Sequence, residues 1–248
     1  MNEFLIVAGL LLGGLIASEI GFRIGAAFKR EDDALGKQLD VIRSATLALV
    51  AFLVAFAFSG AGGRFVERLD IIVDEANALG TAWLRADVLP EPQRGEVKAA
   101  LKEYTADRVA ILRSHHGDEI DRLLAKVGGL QQKMWNAALA GTQGDAPTMN
   151  LVLPPLNDVI DLHTTHLAQA NRHLPRPILI VLLATVALSL LLVGVGNGRS
   201  GRRFPLLDAI YAAVLAVALW MTIDLDRPRQ GLIQVSSQPL VDALAAMK

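Results

Sequence analysis

Two histidines with a nearby carboxylate are the residues of this chain best suited to metal chemistry. His163 and His166 are three residues apart, so a helix would carry both imidazoles on one face, with Asp161 near enough to serve as a ligand or as a support for one. The sequence offers no third ligand at a recognised spacing. A metal-dependent enzyme is therefore one alternative, but we expect a polar cluster near a helix end, with no metal and no other cofactor.

Sequence signatures of catalysis are absent from the chain. It contains no phosphate-binding loop, no nucleophile elbow, no zinc-protease helix motif and no cysteine. Residues 194–198, rich in glycine, follow an apolar segment and are interpreted as a loop. The net charge of −1 provides no overall field that would attract nucleic acid. We therefore expect neither an enzyme nor a nucleic-acid partner.

Glu19 and Arg23 lie four residues apart inside the first apolar block of the chain. Charged side chains within a membrane are costly, so they usually pair and face the interior of a helix bundle. The pair is interpreted either as an intramembrane ion pair on an ion pathway or as a salt bridge at the membrane edge, where the first span ends early.

Phe52, Phe56 and Ala48 share one face of the second apolar block. Crowded rings of this kind can close a water path by dewetting, which predicts a pore constriction. The alternative is that they face lipid or pack against other helices. Arg64, Glu67 and Arg68 follow directly. They are interpreted as a pore mouth that attracts anions, or alternatively as an interfacial anchor.

The apolar residues of the chain fall into four blocks. The 248 residues are 52% hydrophobic, and the mean hydropathy is +0.40. Residues 4–28, 44–62, 178–195 and 206–223 each approach the length of about 20 residues that a membrane-spanning helix needs. These blocks predict four transmembrane helices. Lys and Arg near the span ends are almost equally divided between the two sides, so charge leaves the orientation open.

Between the second and third spans lies a polar insert with helical periodicity. Helices are predicted over residues 65–84, 93–113, 118–139 and 156–173, with a loop at 141–147. The second span continues into the first of these helices without a strong turn signal, which predicts one long helix. The predicted organisation is spans one and two at 1–63, a helical soluble domain at 64–176, spans three and four at 177–224, and a tail at 225–248 that packs on the soluble domain. The fold class is an all-α integral membrane protein.

Several stretches of the chain resemble a known family. The run from Ala55-Phe56 to Arg64-Phe65-Val66-Glu67-Arg68 resembles the segment in which the pore-lining span of bestrophins enters the soluble helices. The tail stretches 226–231 and 238–244 are also similar. The whole chain resembles more closely a bacterial bestrophin-like domain family of unknown function, through residues 19–21, 74–82, 84–87, 157–163 and 224–228.

The resemblance implies a homo-oligomeric ion channel, a pentamer in bestrophins, with anions favoured over cations. It implies that Phe52, Phe56 and Ala48 occupy the neck and that Arg64 and Glu67 follow it. It also implies that the long insert is cytoplasmic and that the protein lies in the bacterial inner membrane, with lipid and inorganic ions as its partners. The alternative function is a non-conducting membrane scaffold or sensor whose helical domain binds a partner.

Overall fold

In the computed structural model, the described residues are 3–28, 33–227 and 231–248, and every regular element within them is helical. This confirms the all-α prediction. A single 3-10 turn, Ala86–Val88, follows the second helix. The α-helices are α1 (Glu3–Ala27), α2 (Asp33–Arg85), α3 (Gln93–Arg113), α4 (Gly117–Gly141), α5 (Ala146–Ala170), α6 (Arg176–Ser200), α7 (Pro205–Asp226) and α8 (Gln238–Ala246).

Among the described residues, four helices are long and apolar enough to cross a membrane, namely α1, α2, α6 and α7. This confirms the prediction of four spans. Helix α2 has 53 residues and begins at Asp33, well before the predicted start of the second span at residue 44. It continues through Gly60, Gly62 and Gly63, because a glycine costs a helix interior only about 1 kcal/mol and no proline interrupts this stretch.

The chain divides into two compact units. The first unit contains Met1–Gly63 and His173–Ile233, and the second contains Arg64–Arg172 and Gln234–Lys248. Helix α2 contributes its earlier part to the first unit and its later part to the second. The tail residues 225–248 are likewise shared, since residues 225–233 belong to the first unit.

Glycines let α1 and α6 pack backbone to backbone in the first unit. A Cβ atom at Gly21 would overlap the carbonyl oxygen of Leu191, and one at Gly198 would overlap that of Phe22. Gly25 and Gly194 make equivalent approaches, so each helix carries a G-x-x-x-G pair. Small residues at this spacing allow close helix contact within membranes. The prediction of a loop at 194–198 is therefore wrong, because these glycines are helical and serve packing.

A buried apolar core organises the second unit. Helix α3 packs along α4, and α8 packs on α3. Leu101, Ile111 and Met134 are fully buried, as are Leu240 of α8 and Met247 near the chain end. The end of the chain therefore belongs to the core of this unit.

Helix α5 begins at Ala146 and not at residue 156, so its predicted start is wrong. Pro154 and Pro155 lie inside the helix, where proline usually disrupts hydrogen bonding because it lacks an N–H. The carbonyl of Leu151 would normally accept the N–H of the residue at position 155. It accepts instead from Nη1 of Arg85, at 3.1 Å, and the helix continues.

Two aspartates at the end of α7 hold neighbouring backbone in the first unit. The carboxylate of Asp224 accepts the N–H groups of Leu232 and Ile233, at 3.0 and 2.8 Å. That of Asp226 accepts the N–H of Leu174, at 2.8 Å. Residues 228–230 of the tail, which are part of the bestrophin-like stretch 226–231, lie outside the described residues.

Candidate functional site

Phe52 and Phe56 form a stacked pair on one face of α2. Their ring centroids are 6.5 Å apart, and the ring planes are inclined by 19°. The two residues are 66% and 69% exposed within the chain, and Ala48, one turn earlier, is also exposed. The three residues therefore make a continuous apolar stripe that no other part of the described chain covers.

The opposite side of α2 fixes the direction of this stripe. Val50, Ala57 and Ala61 are buried, and the first two belong to the apolar core of the first unit with Leu182, Leu190 and Leu219. Positions 50 and 57 point well away from 52 and 56, because successive helical residues are about 100° apart. Because the face of α2 that carries Val50 and Ala57 is packed in the core, the face that carries Phe52 and Phe56 is directed outward.

The three residues predicted at the pore mouth separate in the structure. Arg64 is partly exposed and Glu67 is exposed, and the carboxylate of Glu67 accepts a hydrogen bond from the side-chain amide of Gln169. Arg68 is only 2% exposed, and its guanidinium donates to the backbone carbonyls of Gln169 and Arg172, at 3.4 and 2.7 Å. Arg68 is therefore directed into the second unit, where it joins α2 to the end of α5.

A buried charge cluster surrounds Glu75 further along α2. Both carboxylate oxygens of Glu75 accept hydrogen bonds from Arg108, and one also accepts from the hydroxyl of Tyr104, at 2.8 Å. Nδ1 of His166 lies 2.6 Å from Nη2 of Arg108. The cluster connects α2, α3 and α5, and sequence reasoning missed Glu75 and Arg108. An acidic residue between Ile72 and Leu79, on the apolar face of a helix, is the signal that could have found it.

The environment of this cluster perturbs its titratable groups. Burial, and then the negative charge of Glu75, raise the pKa of Tyr104 well above its usual range. Burial alone would lower the pKa of Arg108, but the hydrogen bonds to Glu75 and the negative charge of that carboxylate together outweigh burial and raise the pKa. Burial, followed by the positive charge of Arg108, lowers the pKa of His163 to about 4. His163 is therefore neutral at pH 7.

The candidate metal ligands point to different surroundings. His163 packs edge-on against Tyr104 and His166 contacts Arg108, both inside the second unit, whereas Asp161 accepts a hydrogen bond from Asn157 and lines an outer groove. Within residues 3–28, 33–227 and 231–248, no group of three or more His, Asp or Glu could hold a metal ion. The two histidines therefore pack against residues of the buried charge cluster.

The groove beside Asp161 has a volume of about 530 Å³ and lies between α2 and α5. Its polar lining includes Asp74, Asn77, Arg85 and Asp158. Several of the stretches that carry the resemblance to the bacterial family therefore meet on one surface of the second unit, which the sequence alone did not reveal.

Glu19 and Arg23 form a salt bridge, with Nε of Arg23 3.0 Å from Oε1 of Glu19. A third member was missed by sequence reasoning, because it is far away in the chain. Nη1 of Arg203, in the connection between α6 and α7, lies 2.9 Å from Oε2 of Glu19. One carboxylate therefore serves two guanidinium groups in the first unit.

The helices and their composition define the class of the molecule, which is an all-helical integral membrane protein. Within that class, the chain belongs to the Bestrophin-like domain family, whose model matches residues 33–240. The resemblance inferred from sequence is thereby confirmed.

Solved structures share this fold. A mutant of a bacterial bestrophin homologue from Klebsiella pneumoniae is 17% identical, with a TM-score of 0.71, and the match covers 100% of this chain and 96% of that one. Another structure of a bacterial bestrophin homologue from Klebsiella pneumoniae is 15% identical, with a TM-score of 0.62 and coverage of 98% and 95%. A structure described as a membrane protein is 14% identical, with a TM-score of 0.65 and coverage of 100% and 98%. No curated protein matches the chain.

Proposed function

We propose that this protein is an oligomeric bestrophin-like ion channel that favours anions and is lined by α2. The observation that carries the proposal is the stripe of Ala48, Phe52 and Phe56, which is uncovered on one side of a long helix whose other side is packed. A symmetric ring of copies would bring these stripes together around one axis. Family membership supports the same function.

Phe52 and Phe56 form the proposed constriction, with Ala48 one turn before them. Stacked rings from several copies narrow a water path until it empties, so that ions cross only when the ring of side chains widens. No bond to the ion is made or broken, and the protein acts without chemistry on its substrate.

Arg64 is the proposed attraction site for anions at the pore mouth, eight residues after Phe56 on the same helix. A cationic side chain beside a narrow water path raises the local concentration of anions and repels cations. Glu67 moderates this charge. We assign Arg68 a structural part, because its guanidinium is buried against backbone carbonyls.

The proposed arrangement follows the family. Residues 64–176 form a cytoplasmic helical domain between the spans at 1–63 and 177–224, and residues 234–248 of the tail at 225–248 return to that domain. The protein lies in the bacterial inner membrane as a homo-oligomer, a pentamer by similarity to bestrophins. The burial of Leu240 and Met247 among core residues of the second unit supports the proposed place of the tail.

Ion flux across liposomes that contain the purified oligomer tests the proposal. We expect chloride flux well above that of protein-free liposomes and smaller sodium flux. Arg64→Glu should reduce the preference for chloride over sodium, whereas Arg122→Glu, on the exposed surface of α4, should leave it unchanged. Absence of flux from a folded oligomer would reject the channel and favour the scaffold or sensor, for which the groove between α2 and α5 offers a binding surface.

A further inference from the structure

A preorganised basic site lies near the end of α1 in the first unit. The carboxylate of Glu19 pairs with both Arg23 and Arg203, at 3.0 and 2.9 Å. Two guanidinium groups and one carboxylate leave an excess of one positive charge. This excess charge, shared between α1 and the connection from α6 to α7, is expected to attract an anionic group.

Arg203 is positioned by contacts with both Phe22 and Glu19, yet much of its side chain remains exposed. Its guanidinium carbon lies 4.0 Å from the ring centroid of Phe22, and Glu19 accepts hydrogen bonds from its Nη1 and Nη2. Its side chain is still 60% exposed, and that of Arg23 is 78% exposed. Since a guanidinium has five N–H donors, both arginines can present donors outward while they pair with Glu19.

An apolar groove continues from this charged site along α1. It has a volume of about 310 Å³. Its lining residues follow one face of the helix, and they are Leu12, Leu15, Ile16, Glu19, Ile20 and Arg23. The charged residues occupy one end of the groove, and the remainder is aliphatic. A ligand that matches it has an anionic group at one end and a hydrocarbon chain at the other.

We propose that this groove binds an anionic phospholipid, with the phosphate on Arg23 and Arg203 and one acyl chain along Leu12, Ile16 and Ile20. Guanidinium groups suit phosphate because their planar donors reach two oxygens at once. A zwitterionic lipid offers the same phosphate but adds a cationic group that the arginines repel. The site does not depend on whether the protein conducts ions.

Lipid binding to the purified full-length oligomer in non-ionic detergent tests the proposal. Phosphatidylglycerol and phosphatidylcholine of equal chain length would be titrated separately and followed by native mass spectrometry. We expect wild-type protein to prefer phosphatidylglycerol. Arg23→Gln and Arg203→Gln should each weaken the binding of phosphatidylglycerol by about fivefold, because each removes one cationic side chain that attracts the anionic lipid. Neither substitution should change the affinity for phosphatidylcholine.

Three controls keep the result specific. Arg202→Gln, on the same connection as Arg203 and also exposed, should bind phosphatidylglycerol as the wild type does. Arg23→Lys, which keeps a cation at the site, should retain most of the affinity. Glycerol 3-phosphate, which has the anionic group without the chains, should not compete.

Equal binding of the two lipids by wild-type protein would overturn the proposal, and so would a preference that survives both glutamine substitutions. Effective competition by glycerol 3-phosphate would replace the lipid site with a simple anion site. Failure of phosphatidylglycerol to bind the oligomer would overturn the proposal as well.

Discussion

The guanidinium of Arg108 donates two parallel hydrogen bonds to the carboxylate of Glu75. Nε lies 2.7 Å from Oε1, Nη2 lies 2.7 Å from Oε2, and neither side chain is exposed to solvent. This pair connects the later part of α2 to α3, with Tyr104 and His166 as further partners of the two charges. The pair thereby fixes the part of α2 that lies in the second unit. The proposed constriction lies on the earlier part of the same helix.

Glu75→Gln is expected to destabilise the protein by about 3 kcal/mol. Removal of one partner leaves the other charge buried without compensation, which typically costs several kcal/mol. Thermal unfolding in detergent measures the loss. Glu103→Gln removes an exposed partner of Lys126 and should have almost no effect, since surface ion pairs contribute little. Similar melting temperatures for the two variants would contradict a stabilising part for the buried pair.

His163 should make the protein less stable in mild acid. Its pKa is lowered to about 4 in the folded state, whereas an unfolded histidine titrates near 6.5. Between these values the unfolded chain binds more protons, so the free energy of unfolding falls as the pH falls through this window. His163→Phe cannot be protonated, so its melting temperature should fall less between pH 7 and pH 4.5 than that of wild type. His115→Phe, at an exposed position, should behave as wild type does; equal pH dependence in all three proteins would reject the assignment.

Gly21→Ala should destabilise the contact between α1 and α6. The added methyl group would overlap the carbonyl of Leu191, and overpacking against backbone costs about 2 kcal/mol. Gly13→Ala is the matched control on the same helix, because a Cβ there meets nothing within 4 Å. The control should leave the melting temperature unchanged or raise it, since alanine is the better helix former. A stable Gly21→Ala protein would contradict the backbone packing of these helices.

Arg85 and Pro155 should be energetically coupled. Arg85→Met removes the donor that satisfies the carbonyl of Leu151, at a cost of about 1 kcal/mol. In a Pro155→Ala background the restored N–H can bond to that carbonyl, so the same substitution should cost less. Melting temperatures of the two single variants and the double variant give the coupling. Additive effects would show that Arg85 does not replace the missing N–H of Pro155.

The helices and spans could be predicted from sequence because their determinants are local. Apolar blocks of membrane-spanning length predicted α1, α6 and α7. The helical periodicity of the apolar residues, together with the helix-breaking residues beside them, placed the ends of α3 at residues 93 and 113. Local signals failed where a distant partner decides the outcome. The last helix of the insert was predicted to start at residue 156, but it begins at Ala146 and continues through Pro155, because Arg85 satisfies the carbonyl that Pro155 cannot.

For the same reason, only part of the candidate functional site could be predicted from the sequence. The spacing of Phe52 and Phe56 predicted one helical face, and the structure brings their rings together. The spacing of Arg64, Glu67 and Arg68 could not show that Arg68 turns inward, because its carbonyl partners are about a hundred residues away. The third member of the Glu19 cluster, Arg203, lies 184 residues further along the chain and has no local signal.

Chloride flux through liposomes that contain the Phe52→Ala/Phe56→Ala variant tests the central claim most directly. If the stacked rings form the constriction, flux per oligomer should rise well above that of wild type, because smaller side chains keep the path wet. Phe58→Ala is the matched control, since Phe58 is an exposed aromatic residue on the same helix but outside the stripe, and it should leave flux unchanged. Equal flux from the double variant and the wild type, with the oligomer intact in both, would contradict the account.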